Sequence, residues 1–509
     1  QAPSSPDERR ADMQQEIDDP EKVVLPIDTN PYLDHHLDPF SERVLVTELI
    51  SRRDKERYFC DAAVAARKKE IGDLERKNFA GWERSEGLRQ WCQRKGPGTW
   101  SRAGILTHQK HAESNISLDL AIFKGRYVVN GNDEFDCNGA NVIEQARADL
   151  RAAGLSVNPI SVAELRILYA IEAAIAAERG YQLCIMIGDE ALAYTGTQFD
   201  EDEEPRFVLI TQRDLEWIPE RWQERIRKQL RESPEGVLVP LKVWLYGDLR
   251  SGFKYELRRN NDFVSVGYDH RPRTSMFRTS APARSTTGSN LKQAPSSGAA
   301  AFVDDHILMG HATSCQCQAD KLTALNDYKT GFKTVTLGEA VAALGLEMLF
   351  YQTPLYLSMC LRQHDYGLMW VGRMEIEIGK KLLSKDTPGF ANGRMFAQGG
   401  GPGIFTLSAR SFVSACMYAG RHTMPELVEP CNFLSCFFND WCIMQDAGLL
   451  QLFGYWKTQL ECNNDTLEIR ICVQDAKERT IVNNYFSDAD HASNFARKST
   501  SAGAAMLDG

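Results

Sequence analysis

The clearest hydrophobic pattern in this chain is a helical repeat that begins after Ser161. Ser161 and Glu164 have the spacing of a capping box, in which each side chain binds a backbone N–H group at the start of a helix. Gly180 then supplies a C-terminal stop signal. Between these signals, apolar residues recur every three or four positions, as on one helix face: Leu165, Leu168, Ile171 and Ile175. The pattern therefore predicts a helix from Ser161 to Gly180.

Continuous apolar runs indicate buried strands further along the chain, at residues 183–187, 207–210 and 237–245. A charged, helix-prone stretch at 215–230 separates the last two runs. Strands that alternate with helices are typical of an α/β chain with a partly parallel sheet. Pro240 cannot donate a ladder hydrogen bond, so it predicts that the third strand is an edge strand or carries a bulge.

A low-complexity tract at residues 279–301 interrupts these patterns. Its small, polar and Pro- or Gly-containing sequence cannot bury enough surface to offset the entropy of ordering it, which predicts a linker or mobile loop. The tract would join an N-terminal α/β domain at 29–278 to a C-terminal α/β domain at 302–497. Residues 1–28 are predicted to be a polar surface arm, and 498–509 a frayed tail. The expected fold class is α/β or α+β, with a mixed sheet, many helices and two sub-domains.

The C-terminal half is richer in apolar and aromatic residues. Thr336 and Glu339 repeat the capping-box spacing and predict a helix that continues through Phe350. Residues 404–407 predict a short strand, and residues 409–418 predict a helix.

Composition and charge narrow the class of protein. The 509 residues are 43% hydrophobic and 25% charged, which excludes a wholly disordered or collagen-like chain. The net charge is −10, from 59 Lys and Arg against 69 Asp and Glu, whereas a chain that coats nucleic acid should be strongly basic. No apolar run reaches the ~18 residues that span a bilayer, so we expect no membrane partner. The 13 scattered cysteines, without a signal peptide, favour a reducing, cytoplasmic location.

Candidate metal ligands are present in one short stretch, because thiolate and imidazole are the ligands that zinc prefers. The four residues are His306, His311, Cys315 and Cys317. Their spacing, H-x4-H-x3-C-x-C, matches no standard structural zinc pattern, and unrelated His and Cys residues in a loop are the alternative. We therefore expect no cofactor.

A candidate nucleic-acid contact lies in the most basic part of the chain. Residues 251–300 contain eight Lys and Arg against three Asp and Glu, interleaved with aromatic residues. Such mixtures suit phosphate contact and base stacking, although an exposed basic surface without a ligand has the same composition. The candidate residues are Arg258, Arg259, Arg271, Arg273 and Arg278.

Residues 319–450 resemble the donor-binding half of β-1,3-glycosyltransferases. Short motifs occur in a similar order: Asp327-Tyr328, the segment from Thr336, Asp365 to Trp370, Phe396 to Gly401, Ile404 to Ser408, and Asn439-Asp440. The resemblance implies an enzyme that acts on a nucleotide-sugar. The chain departs from that family at Val371-Gly372-Arg373-Met374, where the family carries an Asp-rich metal motif. Without those carboxylates, the divalent ion that neutralises a diphosphate lacks ligands.

The chain as a whole resembles the capsid proteins of fungal double-stranded RNA viruses. It is a large α/β chain whose local sequence contains no catalytic triad and no H-E-x-x-H motif, which disfavours an enzyme. It also has polar segments at both ends and begins with Gln1, as a processed product would. As a family, such shells do not wrap their genome with a basic tail, which agrees with the negative net charge.

This resemblance implies a structural, self-assembling shell protein that forms large closed oligomers. The expected partners are copies of the chain itself and, as a further candidate, a second structural subunit. RNA would be reached through the basic patch. The expected location is the cytoplasm, or the virion of a capsid. The nucleotide-sugar transferase and a cytosolic RNA-binding subunit are the alternatives.

Overall fold

The computed structural model describes residues 47–110, 121–152, 160–201, 203–270, 274–279, 296–389, 401–478, 482–490 and 500–508. The strands in these ranges are β1 Thr47–Leu49, β2 Glu86–Gly87, β3 Thr99–Lys110, β4 Ile122–Phe135, β5 Cys184–Glu190, β6 Arg206–Ile210, β7 Val237–Pro240, β8 Tyr268–His270, β9 Met276–Thr279, β10 Ser297–Phe302, β11 Asp305–Gly310, β12 Tyr328–Thr334, β13 Ala340–Ala343, β14 Leu346–Gln352, β15 Tyr356–Arg362, β16 Thr466–Cys472, β17 Val482–Asp490 and β18 Thr500–Asp508.

The α-helices in the same ranges are α1 Lys55–Phe59, α2 Asp61–Arg76, α3 Leu88–Gln93, α4 Ile143–Ala152, α5 Val162–Arg179, α6 Glu220–Glu232, α7 Ser251–Ser265, α8 Ala312–Leu325, α9 His364–Ile378, α10 Ala409–His422, α11 Val428–Ser435, α12 Ile443–Glu461 and α13 Val473–Glu478. The fold is therefore mixed α/β, as the sequence predicts, with many helices and a mixed sheet. None of these helices is long and apolar enough to cross a membrane.

The helix predicted after Ser161 is confirmed as α5. Ser161 caps it through the full capping box, because the Ser161 hydroxyl accepts a hydrogen bond from the Glu164 N–H group at 3.1 Å. In return, the Glu164 carboxylate accepts one from the Ser161 N–H group at 2.7 Å. Gly180 ends the helix with φ of 69°, a left-handed conformation that glycine adopts without steric cost.

The first sheet has the strand order β1-β3-β6-β7-β2, with β4 also paired to β3. Only β3 and β6 run parallel among these pairs, so the sheet is mixed. The run that begins at Val237 is a strand only as far as Pro240. This strand lies between β6 and β2, so the expectation of an edge strand or bulge is wrong. Pro240 cannot donate a ladder hydrogen bond, but it is the last residue of the strand. It lies beyond Val237 and Leu238, the two residues that pair with β2.

The second sheet is antiparallel, with the order β12-β5-β11-β10-β9-β8. It corrects the predicted domain boundary at 279–301, because β5, from the predicted N-terminal domain, pairs with β11, from the C-terminal one. Residues 297–301 belong to β10, which pairs with β9 on the other side of the tract. Ladder hydrogen bonds order this part of the tract, which composition alone cannot reveal. Residues 280–295 lie outside the described residues.

The third sheet has the order β13-β14-β15-β16 and corrects a second prediction. The segment from Thr336 to Phe350 forms the hairpin of β13 and β14 instead of a helix. The hairpin turns at Leu344 and Gly345, which both have positive φ, at 57° and 72°. Two adjacent residues with positive φ are the geometry of a tight hairpin turn. Packing between strands here overrides the local helix signal.

The apolar face of α5 forms a core between the second and third sheets. Leu165 and Leu168 are fully buried there. They belong to one cluster with Ile307 of the second sheet and with Met348 and Met359 of the third. Helix α5 therefore joins the two halves that the sequence analysis separates.

A helical region, α9 to α12, lies in sequence between β15 and β16 of the third sheet and has its own core around Phe412, Phe453 and Trp456. The predicted helix at 409–418 is confirmed as α10 and extends to His422. The predicted strand at 404–407 is wrong, since these residues form a turn that precedes α10. The buried carboxylate of Asp446 accepts hydrogen bonds from the N–H groups of Ile404 and Phe405, which fixes that turn.

The chain ends, within the described residues, in a hairpin. Strand β18, Thr500–Asp508, pairs antiparallel with β17, Val482–Asp490. The boundary predicted between a domain at 302–497 and a frayed tail at 498–509 therefore falls between two paired strands. The predicted arm at residues 1–28 lies outside the described residues.

Candidate functional site

The four predicted metal ligands do not converge. His306 lies at the start of β11. Cys315 lies on α8 beside Cys184, and Cys184 pairs with Gly310 at the other end of β11. Four residues of strand separate these ends, on the order of 13 Å. His311 caps α8, with its Nδ1 atom accepting a hydrogen bond from Thr313, and Cys317 is exposed. Within the described residues, no group of three or more His, Cys, Asp or Glu could hold a metal ion.

Each described arginine of the predicted nucleic-acid patch forms an ion pair or a hydrogen bond with another residue of the chain. Arg258 forms an ion pair with Glu190. Arg259 is 2% exposed and donates a hydrogen bond to the Ser275 hydroxyl at 2.6 Å. Arg278 donates from Nε to the carboxylate of Glu172 at 2.9 Å. These contacts connect α7 and β9 to neighbouring elements, and a nucleic-acid contact through these arginines stays a prediction. Arg271 and Arg273 lie outside the described residues.

Arg258 belongs to a buried polar network that connects α7 to the second sheet. The Tyr255 hydroxyl lies 2.8 Å from the Glu190 carboxylate and 2.7 Å from the Val303 carbonyl oxygen. His306 lies next to it, with Nε2 at 3.5 Å from the Tyr255 hydroxyl and Nδ1 at 2.6 Å from the Tyr328 hydroxyl. Residues from β5, α7, β11 and β12 thus meet in one network.

Burial sets the charge states of this network. Burial, together with the cations of Arg259 and Arg258, lowers the pKa of His306 to about 3. Burial also raises the pKa of Glu190, while the Arg258 cation opposes that shift. His306 is therefore neutral at pH 7, and it is only 1% exposed. A histidine without solvent contact cannot contact a substrate directly. We therefore interpret the network as a structural connection between β5, α7, β11 and β12.

The network also holds a strained turn. Val303, between β10 and β11, has φ of 51°, a left-handed conformation that is unfavourable for a β-branched residue. The Tyr255 hydroxyl lies within hydrogen-bond distance of the Val303 carbonyl oxygen and packs the turn against α7. Strain of this kind persists only when surrounding contacts fix the conformation.

An exposed apolar surface on the helical region was missed by the sequence analysis. Ile376 is 82% exposed and Leu368 is 47% exposed, although both lie on α9. Leu407 is fully exposed, and the adjacent Ser408 donates a hydrogen bond to Glu377 of the same helix at 2.5 Å. The spacing of Leu368, Gly372 and Ile376 at intervals of four is the signal that could have found this face.

A second surface that was missed is the outer face of β3 and β4. His108 pairs directly with Lys124, and Leu106 pairs with Arg126. The alternation of burial along β4 turns Gly125 and Tyr127 inward and leaves Lys124 and Arg126 half-buried on the other face. The Arg126 guanidinium lies 4.8 Å from the centre of the Tyr246 ring. Period-two alternation of basic residues in this segment was the available signal.

No protein-family model matches the chain, and no curated protein sequence matches it significantly.

Proposed function

We propose that this chain is a structural subunit that assembles with copies of itself into a large closed, capsid-like oligomer. The observation that carries the proposal is the apolar surface formed by Leu368 and Ile376 on α9 and by Leu407 beside it. Single exposed apolar side chains are normal, but a group of large ones on neighbouring elements is typical of an interaction site.

The free energy available from burying these apolar side chains supports assembly. Fully burying one Leu or Ile side chain is worth about 1.5–3 kcal/mol. Ile376 and Leu407 therefore offer a substantial gain to any partner that covers them, while they contribute little to the isolated fold. Both lie at the outside of a helical region whose own core is already filled by aromatic residues.

The transferase alternative gains no support from the same region. Val371 and Met374, at the position of the absent metal motif, are buried on the inner face of α9. The segments from Thr336 and from Ile404 form a hairpin and a turn, where that alternative needs a helix and a strand. Assembly is therefore the better-supported function.

Electron microscopy of the purified full chain, together with its bound nucleotide content, tests the proposal. We expect closed particles of uniform size. Uniform single subunits at micromolar concentration, with or without RNA, would contradict it. Particles that form only when RNA is added would support assembly and assign RNA a role in it.

RNA binding is the second candidate function, favoured by the basic outer face of β3 and β4. Lys124 and Arg126 share this face with Ile122 of the same strand and with Leu106, the cross-strand partner of Arg126, which suits phosphate contact beside apolar base contact. Replacing both Lys124 and Arg126 by alanine should weaken binding of double-stranded RNA and reduce its salt dependence. Filter binding at several salt concentrations checks this, with Lys381→Ala, an 89% exposed lysine beyond α9, as a comparison that should leave the salt slope unchanged.

A further inference from the structure

We infer that Cys184 and Cys315 form a reversible disulfide when a peroxide oxidises the folded chain, and that this bond fixes helix α8 on strand β5. The inference is independent of assembly, because it rests on two thiols within one subunit. All the cysteines of the chain are free thiols in this structure, so the structure shows the reduced form of the pair.

The two thiols lie where the ends of β5, β11 and α8 come together. Cys184 is the first residue of β5 and pairs with Gly310, the last residue of β11. Helix α8 begins soon after, at Ala312, and Cys315 lies one turn into it. The Cys315 Sγ atom lies 3.9 Å from the Cys184 carbonyl oxygen, and the two thiols also hydrogen-bond each other. Sulfur atoms in contact can reach the ~2 Å separation of a disulfide through side-chain rotation.

Exposure and hydrogen bonding give the two thiols different chemical roles. Cys184 is half-buried, whereas Cys315 is fully buried. The hydrogen bond from Cys315 lowers the pKa of Cys184, and the same contact together with burial raises the pKa of Cys315. Because the thiolate is the reactive form, Cys184 is the residue that attacks a peroxide, and Cys315 is placed to complete the disulfide.

The oxidation proceeds in two balanced steps. The Cys184 thiolate attacks one oxygen of the peroxide, the O–O bond breaks, and the sulfur becomes a sulfenic acid while the other oxygen leaves as hydroxide and takes a proton from water. The Cys315 sulfur then attacks the Cys184 sulfur and gives up its proton, and the hydroxyl group leaves with that proton as water. Two electrons pass from the thiols to the peroxide, and a small dithiol such as dithiothreitol returns them.

The disulfide would close a long loop of the chain, because Cys184 and Cys315 are 131 residues apart in sequence. The loop contains strands β6 to β11 and the 279–301 tract. A cross-link over a loop of this length removes conformational freedom from the unfolded chain. Helix α8 also contributes Ala319 and Leu322 to the core that it shares with the second sheet. The oxidised chain should therefore melt at a higher temperature than the reduced one.

A second pair of neighbouring thiols provides an internal control. Cys416 on α10 and Cys431 on α11 also hydrogen-bond each other. Both are fully buried in the core of the helical region, where a peroxide in solvent does not reach them. Proximity alone predicts a disulfide at each pair, whereas proximity together with exposure predicts only the disulfide between Cys184 and Cys315.

Oxidation of the intact folded chain with hydrogen peroxide, followed by alkylation of free thiols, digestion and peptide mass analysis, tests the inference. The Cys184–Cys315 disulfide should be roughly tenfold or more as abundant as the Cys416–Cys431 disulfide. The melting temperature should rise by about 3 °C or more and return after dithiothreitol is added. Cys317→Ser is the matched control, since Cys317 is an exposed thiol on the same helix, and it should keep both results.

Cys315→Ser should abolish the disulfide and the rise in melting temperature, and should leave Cys184 as a sulfenic acid that dimedone traps. If Cys315→Ser does not fold, Cys184→Ser, at the half-buried position, should likewise abolish the disulfide and the rise. Absence of the disulfide from the oxidised native chain, or equal amounts of the two disulfides, would overturn the inference. A disulfide that leaves the melting temperature unchanged would overturn the fixing of α8 on β5.

Discussion

The second sheet and the helical region of this molecule place their charged and apolar residues in opposite ways. In the sheet, charged residues lie inside: Glu172 is fully buried with Arg278 as its partner, and Glu190 is buried with Arg258. In the helical region, by contrast, large apolar residues such as Ile376 remain outside. A basic stretch of sequence is therefore a poor guide to an exposed charged surface here, because its described arginines bind carboxylate and hydroxyl groups of neighbouring elements.

The reason for the buried charges is the topology of the sheet. Its strands come from segments on both sides of the 279–301 tract. On the N-terminal side of that tract, ion pairs between α7 and β5 and between β9 and α5 connect elements that are distant in sequence. Breaking one partner of a buried pair leaves an uncompensated charge, which is strongly destabilising. The helical region has short connections between several of its helices and is held mainly by apolar packing around Phe412 and Trp456.

The largest expected effect comes from removing the carboxylate at the centre of the sheet network. Glu190→Ala removes the carboxylate that pairs with the Arg258 cation and accepts from the Tyr255 hydroxyl, and leaves them with Asp262 at 3.7 Å and the Val303 carbonyl oxygen, so the free energy of unfolding should fall by about 3 kcal/mol. Chemical denaturation checks this. Glu190→Gln retains an acceptor for Tyr255 and should cost less than Glu190→Ala. Equal costs would show that the lost charge, which both variants share, accounts for the whole effect and that the retained acceptor contributes nothing.

The next effect separates stability from association in the helical region. Ile376→Asp places a charge on the exposed face of α9, so the free energy of unfolding should change by less than about 0.5 kcal/mol. Association should weaken at least tenfold, which corresponds to about 1.4 kcal/mol. Circular dichroism melting and light scattering measure the two quantities. A variant that loses stability but not association would reverse the assignment of this face.

A smaller effect is expected at the start of α5, the helix that joins the two sheets. Ser161→Ala removes the side-chain acceptor for the Glu164 N–H group and should lower the free energy of unfolding by about 1 kcal/mol. Ser161→Asn, another good N-cap residue, should restore most of the loss. Thermal melting of both variants checks the prediction, and an unchanged melting curve for Ser161→Ala would argue against the capping box.

The smallest effect depends on pH. Burial, together with the carboxylates of Asp304 and Asp189, raises the pKa of Asp305 to about 6. Because the unfolded pKa is about 3.9, the charged form destabilises the fold above pH 6, and this cost disappears as the pH falls from 6 to 4. Asp305→Asn should therefore stabilise the chain by about 0.5–1 kcal/mol at pH 7.5, after allowance for solvent screening, and by less at pH 4.5. Denaturation at the two pH values checks the sign; an equal gain at both would contradict it.

The sequence predicts local features of the fold better than its long-range pairing. Helix α5 follows from its caps and its repeat, since all the interactions that define it lie within twenty residues. The segment after Thr336 shows the limit, because the same capping-box spacing occurs where β14 is held between β13 and β15. The strand pairing that decides the outcome involves residues up to β16, which no local pattern contains.

The candidate surfaces show the same limit. Whether Arg258 is a ligand contact depends on Glu190, which lies 68 residues away in sequence and next to it in space. The exposed face of α9 did leave a local signal, the interval of four between Leu368, Gly372 and Ile376. That signal identifies one helix face, but which face is covered depends on where α12 packs.

Sedimentation velocity of the intact chain, from about 1 to 50 µM and without RNA, tests the central claim of self-assembly most directly. The structure-based account predicts a sedimentation coefficient that rises with concentration toward large closed species, and that Ile376→Asp shifts back toward the single subunit. A single, compact 57.3 kDa species at every concentration, identical for both proteins, would contradict it.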